Sequence, residues 1–191
     1  MDDDLTRGDG EDEGLSRRPD PEDLDPTRIK LRPVAVDHVG DLRWIHERPE
    51  VSRWWDEPGE DFPWDEPDST RLTIFVDGQI GGMIQYWEED EPKYRHAGID
   101  LFIDPALHNK GIGTTAVREV ARYLFEARGH HRLEIDPAAE NLAAIRVYEK
   151  VGFKPVGLTR RAERDADGGG WHDSLLMDML STELLPAEQE D

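Results

Sequence analysis

The chain has no cysteine. Disulfides, thiolate zinc sites and a cysteine nucleophile are therefore excluded. No apolar run approaches the length of a membrane-spanning helix, about 18 residues or more. Basic residues are scarce: 23 Lys and Arg stand against 44 Asp and Glu in 191 residues, a formal net charge of −21. Lysine is scarcer still, at positions 30, 93, 110, 150 and 154 only. Such a surface repels nucleic acid and anionic membranes, which bind through basic faces. It attracts a cationic partner. The same acidity suits a high-salt cytoplasm, so charge alone does not select a substrate. The pair His130-His131 has neither metal-ligand spacing nor carboxylate company in the sequence, and no metal is expected. The opening Met1-Asp2-Asp3-Asp4 is the reverse of the basic start of a signal peptide, which favours a cytoplasmic location.

The length suits one domain with a full core. Residues 1–27 carry 11 acidic and 3 basic residues, a net of −8, with little apolar content. A segment of this composition cannot offset its ordering entropy and is expected to be a disordered acidic tail. The remaining chain keeps −13, so the domain, expected over 28–182 with a C-terminal tail at 183–191, is itself acidic. Alternation marks a first strand over 29–33. Val36, Val39, Leu42 and Ile45 mark an amphipathic helix over 36–47, followed by a short helix over 49–55. Residues 56–69, rich in acid and proline, form a loop. Asp77-Gly78 joins strands 72–76 and 80–86 in a hairpin. An acidic loop is expected over 88–93 and a strand over 98–103.

A helix then runs from Gly111 to Arg128, stopped by Gly129, with Ala116, Val117, Val120, Ala121, Leu124 and Phe125 on one face. A strand over 131–135, a helix over 141–151 stopped by Gly152, and strands over 153–158 and 171–179 complete the chain. The order is strands first, then βαβα, then strands. That is a mixed α/β domain.

The most informative stretch is His108-Asn109-Lys110-Gly111-Ile112-Gly113-Thr114. It follows a strand and opens a helix. Backbone N–H groups and the positive end of the helix dipole converge there, which is the make-up of an anion site. Glycines at 111 and 113 let a phosphate approach the backbone. A lone Gly-x-Gly is also an ordinary turn. Here it stands about 30 residues before Asn141, Ala144, Tyr148-Glu149-Lys150 and Gly152-Phe153.

That combination resembles the GNAT superfamily of acetyl-coenzyme A-dependent N-acetyltransferases. Trp54-Trp55, Gly98-Ile99-Asp100 and Asp136-Pro137 with Asn141 narrow the resemblance to the aminoglycoside 6'-N-acetyltransferase branch, and lysine acetyltransferases of siderophore type share parts of it. The resemblance spans roughly residues 28–180. It implies the GNAT fold: a twisted, mostly antiparallel mixed sheet with helices on both faces and one splayed strand pair at the coenzyme cleft. His108 departs from the Gln or Arg usual at its position.

The resemblance also implies roles. His108, Asn109, Lys110, Gly111, Ile112, Gly113 and Thr114 would hold the pyrophosphate of acetyl-CoA. An N–H of Leu101, Phe102 or Ile103 would polarise the thioester carbonyl, a strand bulge deciding which. Asn141 would bond the pantetheine arm, or serve only as a helix N-cap. Tyr148 would protonate the leaving thiolate, or be a packed aromatic. Asp100 and Asp136 would hold substrate ammonium groups, with Asp100 the better proton acceptor, although Asp136-Pro137 also reads as a turn opening. Trp54 and Trp55 would wall the acceptor pocket or anchor the core. Glu88 to Glu91 would complete an acidic rim or form a solvated loop. The expected reaction is acetyl transfer to a primary amine of a small polycation, such as an aminoglycoside. The rivals are an acetyltransferase for a protein N-terminus, a lysine or a siderophore precursor, and a non-catalytic acetyl-CoA-binding module. Monomer and homodimer both remain open.

Overall fold

Asp77 and Gly78 both adopt positive φ, 46° and 86°. Two such residues make the tight turn whose twist matches that of paired strands. They join β2 (Ser69–Val76) to β3 (Gln79–Glu89), and the hairpin seeds the sheet. The structure is a computed structural model that describes residue 25 and residues 28–55, 57–166 and 168–187. The acidic tail expected over 1–27 lies outside the described residues apart from Asp25, as do residues 188–191.

β1 (Ile29–Pro33) pairs antiparallel with β2, and β3 pairs antiparallel with β4 (His96–Ile103). β5 (Arg132–Ile135) joins β4 in parallel, β7 (Trp171–Leu180) pairs with β5, and β6 (Lys154–Arg164) forms the far edge. The sheet order is β1-β2-β3-β4-β5-β7-β6. Among the described residues, no helix is long and apolar enough to cross a membrane.

Strand alternation gives the sheet two apolar faces. On one face Ile74, Ile84, Ile99, Leu133 and Met177 meet α3 (Ile112–Glu126) and α4 (Leu142–Val151). α3 turns Ala116, Val117, Val120, Ala121 and Leu124 inward at three- and four-residue spacing, as its pattern predicts. Each large side chain buried there contributes roughly 1.5–3 kcal/mol relative to exposure. On the other face Met83 and Phe102 meet Leu42 and Ile45 of α1 (Val39–His46), Val51 of α2 (Pro49–Trp55), and Phe62.

Three details depart from the sequence reading. Val36 sits in a separate 3₁₀ turn over 36–38 and is exposed, so the apolar stripe begins later. β3 extends through Glu89, which absorbs the first two residues of the acidic loop expected over 88–93. Glu88 is consequently committed away from any rim. Its carboxylate pairs with Arg128 at 2.9 Å and with the buried His130 at 2.7 Å. His130 thus does have a carboxylate neighbour, one that lies 42 residues away in sequence. Burial works against the Glu88 charge, but the hydrogen bonds from Arg128 and His130 outweigh it and hold its carboxyl below the usual range.

Candidate functional site

β4 ends in a series of local devices that aim the chain into α3. Asp104 Oδ1 accepts from Ala106 N at 3.0 Å and caps a 3₁₀ turn over Pro105–Leu107. His108 Nε2 lies 3.0 Å from Ile103 O, so its ring is held at the end of β4. Asn109 and Gly111 then take positive φ, 61° and 76°. No side chain caps α3, and its first helical bond runs from Thr115 N to Gly111 O at 3.0 Å. The N–H groups of Ile112, Gly113 and Thr114 therefore fall outside the helical ladder at the positive end of the helix dipole.

A Cβ at Gly113 would meet only Val147, Ile103 and Leu101, at 3.6–3.8 Å, which is ordinary contact. The protein's own packing does not demand glycine there. The open space beside the first-turn amides suits a phosphate. Gly111 is demanded by its backbone conformation. His108, Asn109, Gly111, Ile112, Gly113 and Thr114 line the cleft, whereas Lys110 lies in the turn without lining it.

The cleft has a volume of about 1350 Å³ and opens through a gap in the sheet. β4 and β5 pair only at Ala97 with Leu133 and Gly98 with Glu134. Beyond that point the strands separate. β4 keeps an unbroken register with β3, so the gap comes from the divergence of β5 and not from a bulge in β4. Asp100 lies on β4 just past the fork and Asp136 immediately follows the end of β5, and both line the cleft.

Asp104 N bonds back to Gly81 O. The even residues of β4 therefore face β3, and Leu101 and Ile103 turn their backbone polar groups toward the gap. Phe102, expected among the possible N–H donors, faces β3 and buries its ring in the α1–α2 core. The Leu101 N–H is taken by Asp100 Oδ1 at 2.8 Å.

Asp100 lines the cleft and is exposed to it, with the bulk of the protein around its other sides. That enclosure pushes its carboxyl up to about 8, partly opposed by the Leu101 N–H and reinforced by the negative charges of Asp136, Glu163 and Glu66. Asp136 is also raised, by burial and by Glu134. Among the described residues, no cationic side chain makes an ion pair with either carboxyl. Two acids with no counterion among the described residues face one cavity, an arrangement whose charge a cation would offset.

Tyr148, on α4, is only 3% exposed and also lines the cleft. It stacks edge-on against Phe153 at 6.0 Å. The packed-aromatic and site readings thus coincide in one residue. Burial, then Asp100 and Asp136, push its phenol well above the ordinary value, which keeps its proton in place as a donor. Asn141 is the N-cap of α4: its Oδ1 accepts from Ala144 N at 3.1 Å, while the residue also lines the cleft.

Trp54 and Trp55 of α2 also line the cleft. Trp55 also packs edge-on against Phe102 and His46, so it anchors the second core as well. Burial lowers the pKa of His46 and keeps it neutral beside Trp55.

Two groups in this region escaped the sequence reading. Glu163 reaches the cleft because register shifts between Thr159 and Glu163, where Arg161 has a positive φ of 50°, turn the edge strand. His172 holds Glu163 at 3.3 Å. The second group is a polar row across three strands: Arg71 is in register with Gln85, and Gln85 with Asp100. Arg71 Nε donates to Gln85 Oε1 at 2.7 Å, and its guanidinium binds Asp65 and Glu66 of the preceding loop. The loop is thereby fixed beside Asp100. An Asp-Glu pair two positions before a strand is too common a pattern to betray this arrangement.

Residues 39–153 match the model of the acetyltransferase (GNAT) family. Among curated relatives, a spermidine N(1)-acetyltransferase of Vibrio cholerae is 30% identical over 159 residues, covering 76% of this chain and 91% of its own. An aminoglycoside N(6')-acetyltransferase type 1 of Klebsiella pneumoniae is 40% identical over 80 residues, 41% of this chain and 39% of its own. The chain spans 57% of the length of a probable N-acetyltransferase of Bacillus subtilis, YjcK, with 32% identity and 55% of this chain covered. The same fold occurs in Mycobacterium smegmatis RimJ in complex with CoA-disulfide, with a TM-score of 0.71, 23% identity, and 83% of this chain and 84% of that one covered. It occurs again in a spermidine N-acetyltransferase from Vibrio cholerae in complex with CoA and spermine, with a TM-score of 0.71, 20% identity, and coverage of 82% and 98%. With sheet, forked strand pair and amide-lined turn in agreement, the chain belongs to the acetyltransferase (GNAT) family.

Proposed function

We propose that this protein transfers acetyl from acetyl-CoA to a primary amine of a small polycation, an aminoglycoside or a linear polyamine. The observation that carries the reading is the juxtaposition, in one cleft, of the amide-lined turn, the phenol of Tyr148 and the unpaired acids Asp100 and Asp136. The acidity of the acceptor end selects cations. Relatives named for both acceptor types support the class, and the spermidine enzymes match over more of the chain.

The N–H groups at 112–114 hold the pyrophosphate, and the gap edge of β4 aligns the pantetheine arm. The Asn141 amide nitrogen is the group left to meet that arm, since its oxygen caps α4. Asp136 and Glu163 hold ammonium groups of the acceptor. Asp100, with a carboxyl near 8, is matched to take a proton from the attacking ammonium. The neutral amine then attacks the thioester carbonyl carbon. The C–N bond forms, the C–S bond breaks, the nitrogen loses a second proton to solvent through the acids, and Tyr148 protonates the departing sulfur. No acyl-enzyme is formed.

The test is thiol release from acetyl-CoA with a panel of aminoglycosides, spermidine, spermine and short peptides. Turnover confined to polycations is the expected result. If peptide amines are acetylated and polycations neither react nor raise the melting temperature, the acceptor class is wrong.

A further inference from the structure

We infer that the Asp100 carboxyl masks the Leu101 N–H until a cationic acceptor draws it away, so that acceptor arrival and thioester activation are one event. The inference rests on the acetyl-transfer reading above and adds a coupling to it.

Past Gly98, β4 has no ladder partner on its β5 side. Leu101 and Ile103 present their backbone groups to that edge. The Ile103 carbonyl is engaged by the His108 ring at 3.0 Å. The Leu101 N–H is engaged by the side chain of its own neighbour at 2.8 Å. A thioester carbonyl laid along this edge would therefore find its natural donor occupied. Oδ1 accepts from an N–H whether the carboxyl is ionised or protonated, so the mask is present in both states.

What can lift the mask is also on the page. Among the described residues, Asp100 has no cationic partner, and Asp136, Glu163 and Glu66 surround it with negative charge. An ammonium offers three donors and a full charge, and charge-assisted hydrogen bonds are about twice as strong as neutral ones. Rotation of one short side chain toward the acceptor exposes the amide. Leu101 N–H then polarises the carbonyl and stabilises the developing oxyanion. Without an acceptor the thioester stays unpolarised, which limits its loss to water.

The experiment uses the full chain with acetyl-CoA labelled with ¹³C at the carbonyl, read by difference infrared spectroscopy. The acceptor stand-in is spermidine with dimethylated terminal amines, which keeps charge and one N–H donor but forms no stable amide. In the wild type, the bound carbonyl band is expected near its solution position and to fall in frequency when the stand-in is added. In Asp100→Ala it is expected to be lowered from the start, and acetyl-CoA hydrolysis without acceptor should exceed that of Asp100→Asn by roughly 10-fold. This is a fraction of the about 10²–10³ attributed to a fully engaged oxyanion donor. An Asn oxygen still accepts from Leu101 N–H, whereas Ala has nothing to offer, so a role as base alone makes the two variants equal.

A wild-type band that is already low, or that ignores the stand-in, overturns the inference even if Asp100→Ala does not fold. If turnover of polycations is normal while the band does not move, only the coupling is lost. If acetyl-CoA does not bind and no amine is acetylated, the acetyl-transfer reading fails first and takes the coupling with it.

Discussion

The two ends of the cleft are built from different materials. The coenzyme end is backbone: first-turn amides, a glycine at φ 76° and a glycine whose missing side chain leaves room. The proposed acceptor end is side chains: Asp100 from β4, Asp136 just past β5, Glu163 from β6, and two tryptophans from a short helix. Tyr148 stands between the two. The division separates what is common to a family from what distinguishes its members. A backbone cradle binds the same ligand through many sequences, whereas an acceptor surface is rewritten one side chain at a time.

The most damaging test strikes the junction. Tyr148→Phe is expected to lower kcat by roughly 10² or more while acetyl-CoA affinity stays close to wild type, because only the hydroxyl is lost. Single-turnover kinetics with isothermal titration would separate the two. An unchanged kcat where chemistry is rate-limiting would return Tyr148 to a packing role.

Next, each end is perturbed alone. Asp136→Asn is expected to raise KM for a polycationic acceptor by about 10-fold, the loss of one partly screened charge pair, with KM for acetyl-CoA little changed. Acceptor KM should also depend less on salt in the variant, since exposed charges are screened over about 8 Å near physiological ionic strength. At the other end, Gly111→Ala places a Cβ where φ is 76°, at a cost of roughly 1–2 kcal/mol. Acetyl-CoA Kd should rise by up to about 10-fold, while acceptor-induced thermal protection stays near wild type. Equal losses at both ends in either variant would dissolve the division.

A smaller effect lies in the pH profile. Asp100 accepts a proton only when ionised, so kcat/KM for the acceptor should climb with pH and level off above about 8. Removing the negative charge of Asp136 lowers the cost of ionising Asp100, and the limb should move to lower pH in Asp136→Asn. Stability has the opposite sign. A carboxyl raised in the folded state subtracts stability as pH climbs from its unfolded value toward 8. Asp100→Asn should therefore raise the melting temperature at pH 8 more than at pH 4.

The materials of the two ends also decide how legible each was in the sequence. The hairpin at Asp77-Gly78, the helix pattern of α3 and the turn at 108–114 depend on local chemistry, and the sequence predicts all three. Tyr148 and the two aspartates were legible only through family resemblance. Glu163 was not, because an edge-strand irregularity aims it and no residue pattern announces that irregularity. Arg71 was not, because its partners depend on register across β2, β3 and β4. The His130–Glu88 pair joins residues that neither period nor spacing links. The masking of Leu101 lies in one side-chain torsion, which composition does not constrain.

The two apolar faces of the sheet are unequal, and this sets how the molecule breathes. Among the described residues, the cluster beneath α1 and α2 holds six buried side chains and the cluster beneath α3 and α4 holds twenty-two. Openings that expose less apolar surface cost less free energy. α1 and α2, the latter carrying Trp54 and Trp55, should therefore detach as a local unit well below the energy of global unfolding, while α3 stays closed. Amide hydrogen exchange should report α1 and α2 amides trading with solvent orders of magnitude faster than those of α3. On the proposed function, a bulky acceptor would then enter through transient loosening of its own wall, while the turn at 108–114 keeps its shape.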